Sequence, residues 1–121
     1  MPLFATLVLL LTLATGLGHS WLGERVLLGP LEKEGGRVFA RRDKRAIFRA
    51  VFHLPSLLWI LLGAAVLVNR LQQGGELLPL VAALAFSVSG VANLIALRRP
   101  HPGGLLLLAA AALCVIDSNV F

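Results

Sequence analysis

His19, His53 and His101 are the side chains of this chain best placed to do chemistry near neutral pH, because imidazole takes up or releases a proton there. Ser20 follows His19 directly, Ser56 lies three residues beyond His53, and Asn93 is the one amide inside a long apolar run. A layer built from His19, His53, Ser56 and Asn93 is a candidate binding site for something small, such as an ion, a proton in transit, a haem or a quinone head group. Haem would use one or two histidines at facing positions, and His19 with His53 is the available pair. The bland alternative is that these groups only hydrogen-bond between helices, each bond contributing ~0.6–2 kcal/mol. Zinc would need four good ligands, which three scattered histidines without an acid at their depth do not supply, so no metal site is expected. No nucleophile–base pair, phosphate loop or carboxylate pair is present, so no catalytic residue is expected. Cys114 is the only cysteine; a single thiol cannot form a dithiol redox pair, and it reads as a small buried hydrophobe.

These residues must be positioned by apolar segments. Uncharged runs occupy 2–18, 50–68, 77–97 and 103–116, in a chain of 121 residues that is 58% hydrophobic. The runs are apolar all round rather than amphipathic, which excludes an ordinary water-soluble domain. A membrane-spanning helix takes ~20 such residues. The expectation is an all-α protein: one transmembrane four-helix bundle, with helices at about 2–18, 47–68, 77–97 and 102–120. The fourth helix reaches a spanning length only if it runs to the C-terminus, which carries Asp117 to the outer interface beside Arg70. The first run lacks a basic leading segment and reads as a retained helix rather than a cleaved signal.

Charge sets the orientation. Of eleven basic residues, Arg25, Lys33, Arg37, Arg41, Arg42, Lys44, Arg45 and Arg49 lie between the first two runs, Arg98 and Arg99 between the last two, and only Arg70 elsewhere. Basic loops stay cytoplasmic, so loops 19–46 and 98–103 are expected inside and both termini outside. The Leu-, Ala- and Arg-rich composition suits the inner membrane of a bacterium. Arg41, Arg42, Lys44, Arg45, Arg49, Arg98 and Arg99 then serve as topology and lipid anchors, each gaining ~1 kcal/mol from anionic lipid. The net charge of +5 is explained by this bias and implies no nucleic-acid partner. Membrane lipid is the expected partner, with a homo-oligomer or a larger membrane complex as the assembly.

Finer patterning refines the layer. Residues 19–31 (HSWLGERVLLGPL) read as an interfacial stretch anchored by Trp21, with Glu24 and Arg25 facing water and pairing with the basic collar, and stopped by Pro30. Gly35–Gly36 is the flexible turn, and a helical pattern resumes near Val38. At 100° per residue, Arg49, His53, Ser56, Ile60, Gly63, Ala64 and Leu67 share one face of the second spanning helix. Ala82, Phe86, Ser89, Gly90 and Asn93 share one face of the third. Phe52 and Trp59 fall off the polar stripe, towards lipid or a partner. Pro55 would free the carbonyl of Val51 close to His53.

The segments Gly18–Arg25 (GHSWLGER) and Phe52–Trp59 (FHLPSLLW) resemble stretches of small bacterial four-helix integral membrane proteins of no assigned activity. The resemblance covers about half the chain, implies the same architecture and singles out His19 and His53. The chain is less similar to small multidrug exporters, which carry an essential acid in their first helix, and to fluoride channels, whose Gly-rich, Arg-bearing opening it lacks. The expected function is that of a non-enzymatic membrane protein, an accessory subunit or a small-ligand binder with a polar layer near the cytoplasmic side. A haem- or quinone-binding redox component and a small oligomeric transporter or channel are the alternatives.

Overall fold

The computed structural model describes residues 2–37 and 39–118. Helix α1 (Leu3–Leu22) passes through a π-helical turn (Gly23–Leu28) into α2 (Gly29–Glu34), so Leu3–Glu34 is one rod of 32 residues. Helices α3 (Arg42–Leu71), α4 (Leu77–Leu97) and α5 (Pro102–Asp117) follow. The fold is all-α, with no strand among the described residues. Leu3–Glu34, α3 and α4 are each long and apolar enough to cross a membrane, and α5 is a shorter apolar helix of 16 residues. The expected extension of the last helix to residue 120 ends outside the described residues.

The predicted loop over 19–46 is mostly helix. Gly16 and Gly18 do not end α1. Gly16 is instead a contact residue, where a Cβ would come within 2.8 Å of Ile60 Cδ1 and 2.9 Å of the Ser56 carbonyl oxygen. Pro30 does not stop the segment either. It lies in the first turn of α2, just after the register change of the π turn, where a missing N–H is tolerated. The stop comes at Gly35, whose left-handed conformation (φ 70°) lets its N–H bond back to the Glu32 carbonyl at 3.2 Å. The interfacial stretch is thus a helical continuation of α1. The expected restart near Val38 falls on a residue outside the described ones, and α3 begins at Arg42. Pro55 sits inside α3 without ending it.

At 1.5 Å per residue the first rod is ~48 Å long and α3 ~45 Å, against ~30 Å for a hydrocarbon core. These two make the long hairpin; α4 and α5 make a shorter one. The centre of the bundle is α1, which packs along α3 on one side and α5 on the other, while α4 packs on α5 and only lightly touches α3. Small residues make both seams close. A Cβ on Gly63 would run into the Thr12 hydroxyl, and one on Gly90 would come within 2.9 Å of the Gly104 carbonyl oxygen. Ala5, Val8, Trp59, Val66, Ala82, Phe86, Leu107, Ala110 and Cys114 form the core between the helices. Buried Thr12 and Thr15 donate to their own helix, to Leu9 O and Leu11 O. Trp59, expected towards lipid or a partner, is 8% exposed and meets His19 of α1.

The outer faces carry Leu7, Leu10, Leu17, Leu57, Leu61, Leu84, Val88 and Ile95, all exposed. That much apolar surface is compatible with lipid. At the end of α3 remote from its basic start, Arg70 Nε donates to Asp117 Oδ2 at 3.0 Å, and the Asp117 side chain is only 3% exposed. The expected Arg70–Asp117 pair is therefore present, and it fastens the C-terminal ends of α3 and α5 together.

Two stability outcomes follow from these seams. Gly63→Leu should cost about 1–3 kcal/mol by forcing α1 off α3, whereas Leu57→Ala on the exposed face should cost under about 0.5 kcal/mol. Asp117→Ala should cost about 3 kcal/mol, the low end for breaking a buried pair, because a quarter of the Arg70 side chain still reaches the surroundings. Thermal unfolding in detergent micelles checks both.

Candidate functional site

Above the close-packed part of the α1–α3 seam, small residues give way to polar ones. On the first rod Ser20, Glu24, Leu28 and Glu32 recur every four residues. In a straight α-helix a four-residue step overshoots a turn of 3.6 residues by ~40°, and such a row winds away from its neighbour. The π turn takes more residues per turn and slows that drift. Leu28 is accordingly fully buried, and Ser20, Glu24 and Glu32 all reach α3. On α3, Arg49, His53 and Ser56 are four and three residues apart and share the facing side.

The result is a continuous ladder. Ser56 Oγ lies 3.0 Å from His19 Nδ1 and 2.9 Å from Ser20 Oγ. Ser20 Oγ is in turn 2.9 Å from His53 Nδ1. Arg49 donates to both oxygens of Glu24, at 3.1 and 3.2 Å, which fixes that carboxylate as an acceptor. His53 Nε2 is therefore the donor in its 2.8 Å bond to Glu24 Oε1. Arg49 also pairs with Glu32 at 2.8 Å, and Arg45 reaches Glu32 at 3.4 Å.

Aromatic rings hold the inner end. Phe52 stacks on His19 with centroids 4.5 Å apart and planes 14° from parallel, and Trp59 meets the same imidazole edge-on at 5.3 Å. Gly23 leaves room for this stack, since a Cβ there would run into the Phe52 ring. Phe52, expected towards lipid or a partner, thus packs on the first rod.

Beside His19 lie two adjoining cavities, of about 130 and 430 Å³, which share His19, Leu22, Asn93 and His101 as walls. The smaller reaches Thr15 and Trp59; the larger adds Val26, Leu27, Phe52, Leu97 and Arg99. His101 is the N-cap of α5, where its Nδ1 accepts from the Gly103 N–H at 3.2 Å. That bond leaves Nε2 as the protonated nitrogen of the neutral ring.

Of the expected layer, His19, His53 and Ser56 come together directly. Asn93 joins them only across the cavity, so the layer is a ladder plus a pocket, with His19 belonging to both. His53 spends both ring nitrogens on Ser20 and Glu24 and does not present one to the cavity, which disfavours the expected His19–His53 pair as haem ligands. The polar face of α3 turns to the first rod rather than to α4. The groove between α3 and α4, about 790 Å³, is walled mostly by Val51, Leu54, Leu58, Leu61 and Leu62, with Ser89 at one side.

Among the expected anchors, Arg45 and Arg49 are committed to ion pairs, and Arg41 pairs with Asp43 at 3.0 Å on the surface. Arg42 and Lys44 are exposed, Arg98 takes the left-handed cap of α4 (φ 51°), and Arg99 lines the larger cavity. Glu24 meets the basic collar as expected, whereas Arg25 lies over the Trp21 ring at 4.9 Å. The rungs at Ser20 and Glu32 are not evident from the sequence; the four-residue spacing that they share with Glu24 is the available signal, but it points at α3 only when the π turn is known.

No protein family matches the chain, and no characterised protein or solved structure shows detectable similarity to it.

Ser20→Ala and Ser56→Ala should each cost about 1 kcal/mol. The double variant should cost measurably less than the two together, since both remove the same central bond. A double-mutant cycle from thermal unfolding in micelles checks the coupling.

Proposed function

We propose that this is a non-enzymatic, multi-pass protein of the bacterial inner membrane that binds the polar head of a small amphiphile in the cavities beside His19. The basic end of the bundle, with Arg41–Arg49 and Arg98–Arg99, faces the cytoplasm in this reading, and both termini face outwards. The observation that carries it is the joined pair of cavities, with polar walls at one place and apolar walls around them. His101 offers a fixed N–H, Asn93 an amide and Arg99 a cation, while Leu22, Val26, Leu27 and Phe52 suit a tail. Such a distribution is the usual makeup of a small-molecule site, in which a few polar groups orient a largely apolar ligand. Quinones and other lipids with a hydrogen-bond-accepting head belong to this class. Haem is the less suited candidate, because His53 has no free nitrogen.

Gentle-detergent purification from the native membrane, followed by an optical spectrum and mass spectrometry of the extract, tests the reading. One amphiphile should be enriched over bulk lipid and fall at least ten-fold in Asn93→Leu. Bulk lipid alone would overturn the reading, and a Soret band that disappears in His19→Ala would replace it with the haem alternative. Reporter fusions give an independent check on orientation: a fusion after Gly36 should report the cytoplasm, and one after Gly74 the exterior.

A further inference from the structure

The ladder can be protonated in two chemically complete orders. In the first, His53 carries both ring protons: Nε2–H donates to Glu24, Nδ1–H to Ser20, the Ser20 hydroxyl to Ser56, and the Ser56 hydroxyl to His19 Nδ1. In the second, His19 Nδ1–H donates to Ser56, Ser56 to Ser20, and Ser20 to His53 Nδ1. Each hydroxyl can serve in both orders because it donates one hydrogen and accepts others. Passing from the first order to the second breaks the N–H bond at His53 Nδ1 and forms one at His19 Nδ1. Ser20 and Ser56 each give up one proton and gain one, so both stay neutral, and one positive charge moves from His53 to His19. No electron moves and no co-reactant is consumed.

We propose that His53, Ser20, Ser56 and His19 form a proton wire between the Glu24–Arg49 end of the seam and the cavity bounded by His19, Asn93 and His101. The proposal rests on reading that cavity as a ligand site and adds the chemistry of the ligand: its head group is one that takes up or releases a proton. All three links are 2.9–3.0 Å, within hydrogen-bond contact. Ser56 is only 4% exposed, so water has little access to bypass the link between Ser56 and His19, and Ser20 is half-buried.

The charged groups at each end suit the transfer. Glu24 and Arg49 face His53, with Glu32 and Arg45 behind them. At the other end His101, from the cap of α5, and Arg99, from the turn before it, share the cavity of His19. Glu24 compensates a charge on His53, whereas a charge on His19 meets no acid among the described residues lining the cavity; it is relieved when the Nε2 proton, on the nitrogen not bonded to Ser56, passes to a ligand and leaves the ring neutral with its proton on Nδ1.

The wire can be tested on ligand-free protein in lipid nanodiscs, carrying 15N-labelled histidine, by measuring hydrogen exchange of the ring N–H groups by NMR. Ser56→Ala should slow exchange at His19 at least ten-fold and leave His53 unchanged, and Ser56→Thr should restore the rate. Loosened packing alone would speed exchange, so the sign separates a broken wire from a damaged seam. Ser20→Ala cuts the same wire one link earlier and serves if Ser56→Ala does not fold. Equal His19 rates in the wild type and the folded alanine variant would overturn the wire. Slowed exchange in a protein that captures no amphiphile would retain the wire and remove the ligand site; unchanged exchange in one that captures an amphiphile would do the reverse.

Discussion

Along the seam between α1 and α3, polar side chains from each rod find partners on the other, and this reciprocity fixes how the two rods are placed. A hydroxyl, imidazole or carboxylate with little access to water is costly without a partner. Sliding α3 by one turn against α1 would separate Ser56 from Ser20 and His53 from Glu24 together. The lower half of the seam enforces the same register by shape, since Gly63 lies under Thr12 and Gly16 under Ile60. Two kinds of specificity, one by hydrogen bonding and one by close approach, agree on a single arrangement.

The π turn is what allows the polar half to be so long. Without it, the row begun at Ser20 would leave the interface before reaching Glu32. With it, the first rod keeps contact with α3 through Leu28 and ends in the Glu32 pairs with Arg45 and Arg49. The turn also brings Gly23 under Phe52, and that ring fixes the plane of His19. The backbone irregularity, the aromatic stack and the cavity wall are consecutive consequences of one local change in helical pitch.

Much of the architecture was legible in the sequence because lipid-compatible helices need long uncharged runs, and four such runs are plain. His19, His53 and Ser56 were legible as neighbours because a fixed rise per residue gives their common depth. Asn93 was placed at the right level but not against the right partners. Depth follows from one helix, whereas azimuth depends on which neighbour claims each face. Trp59 and Phe52 illustrate the point: a polar stripe on α3 points both rings away from it, yet the first rod is slim enough at Gly23 to take the stripe and both rings, which close on His19. The helical nature of 19–34 is hidden by Gly18, Gly23, Gly29 and Pro30, residues that usually end helices; here Gly23 accommodates a close contact, and Gly29 and Pro30 follow a pitch change.

The long hairpin exceeds a hydrocarbon core by some 15 Å, so its rungs sit in steadily changing surroundings. Ser56 is buried, Glu24 and Arg49 are each 38% exposed, and beyond the rungs the local Arg41–Asp43 pair at the start of α3 is largely open. Mobile ions screen an open pair within about a Debye length of 8–10 Å and barely reach a buried one. Raising ionic strength should therefore loosen the hairpin from its charged tip inward while the serine rungs hold, and the point at which loosening halts marks where bulk electrolyte gives way to protein and lipid.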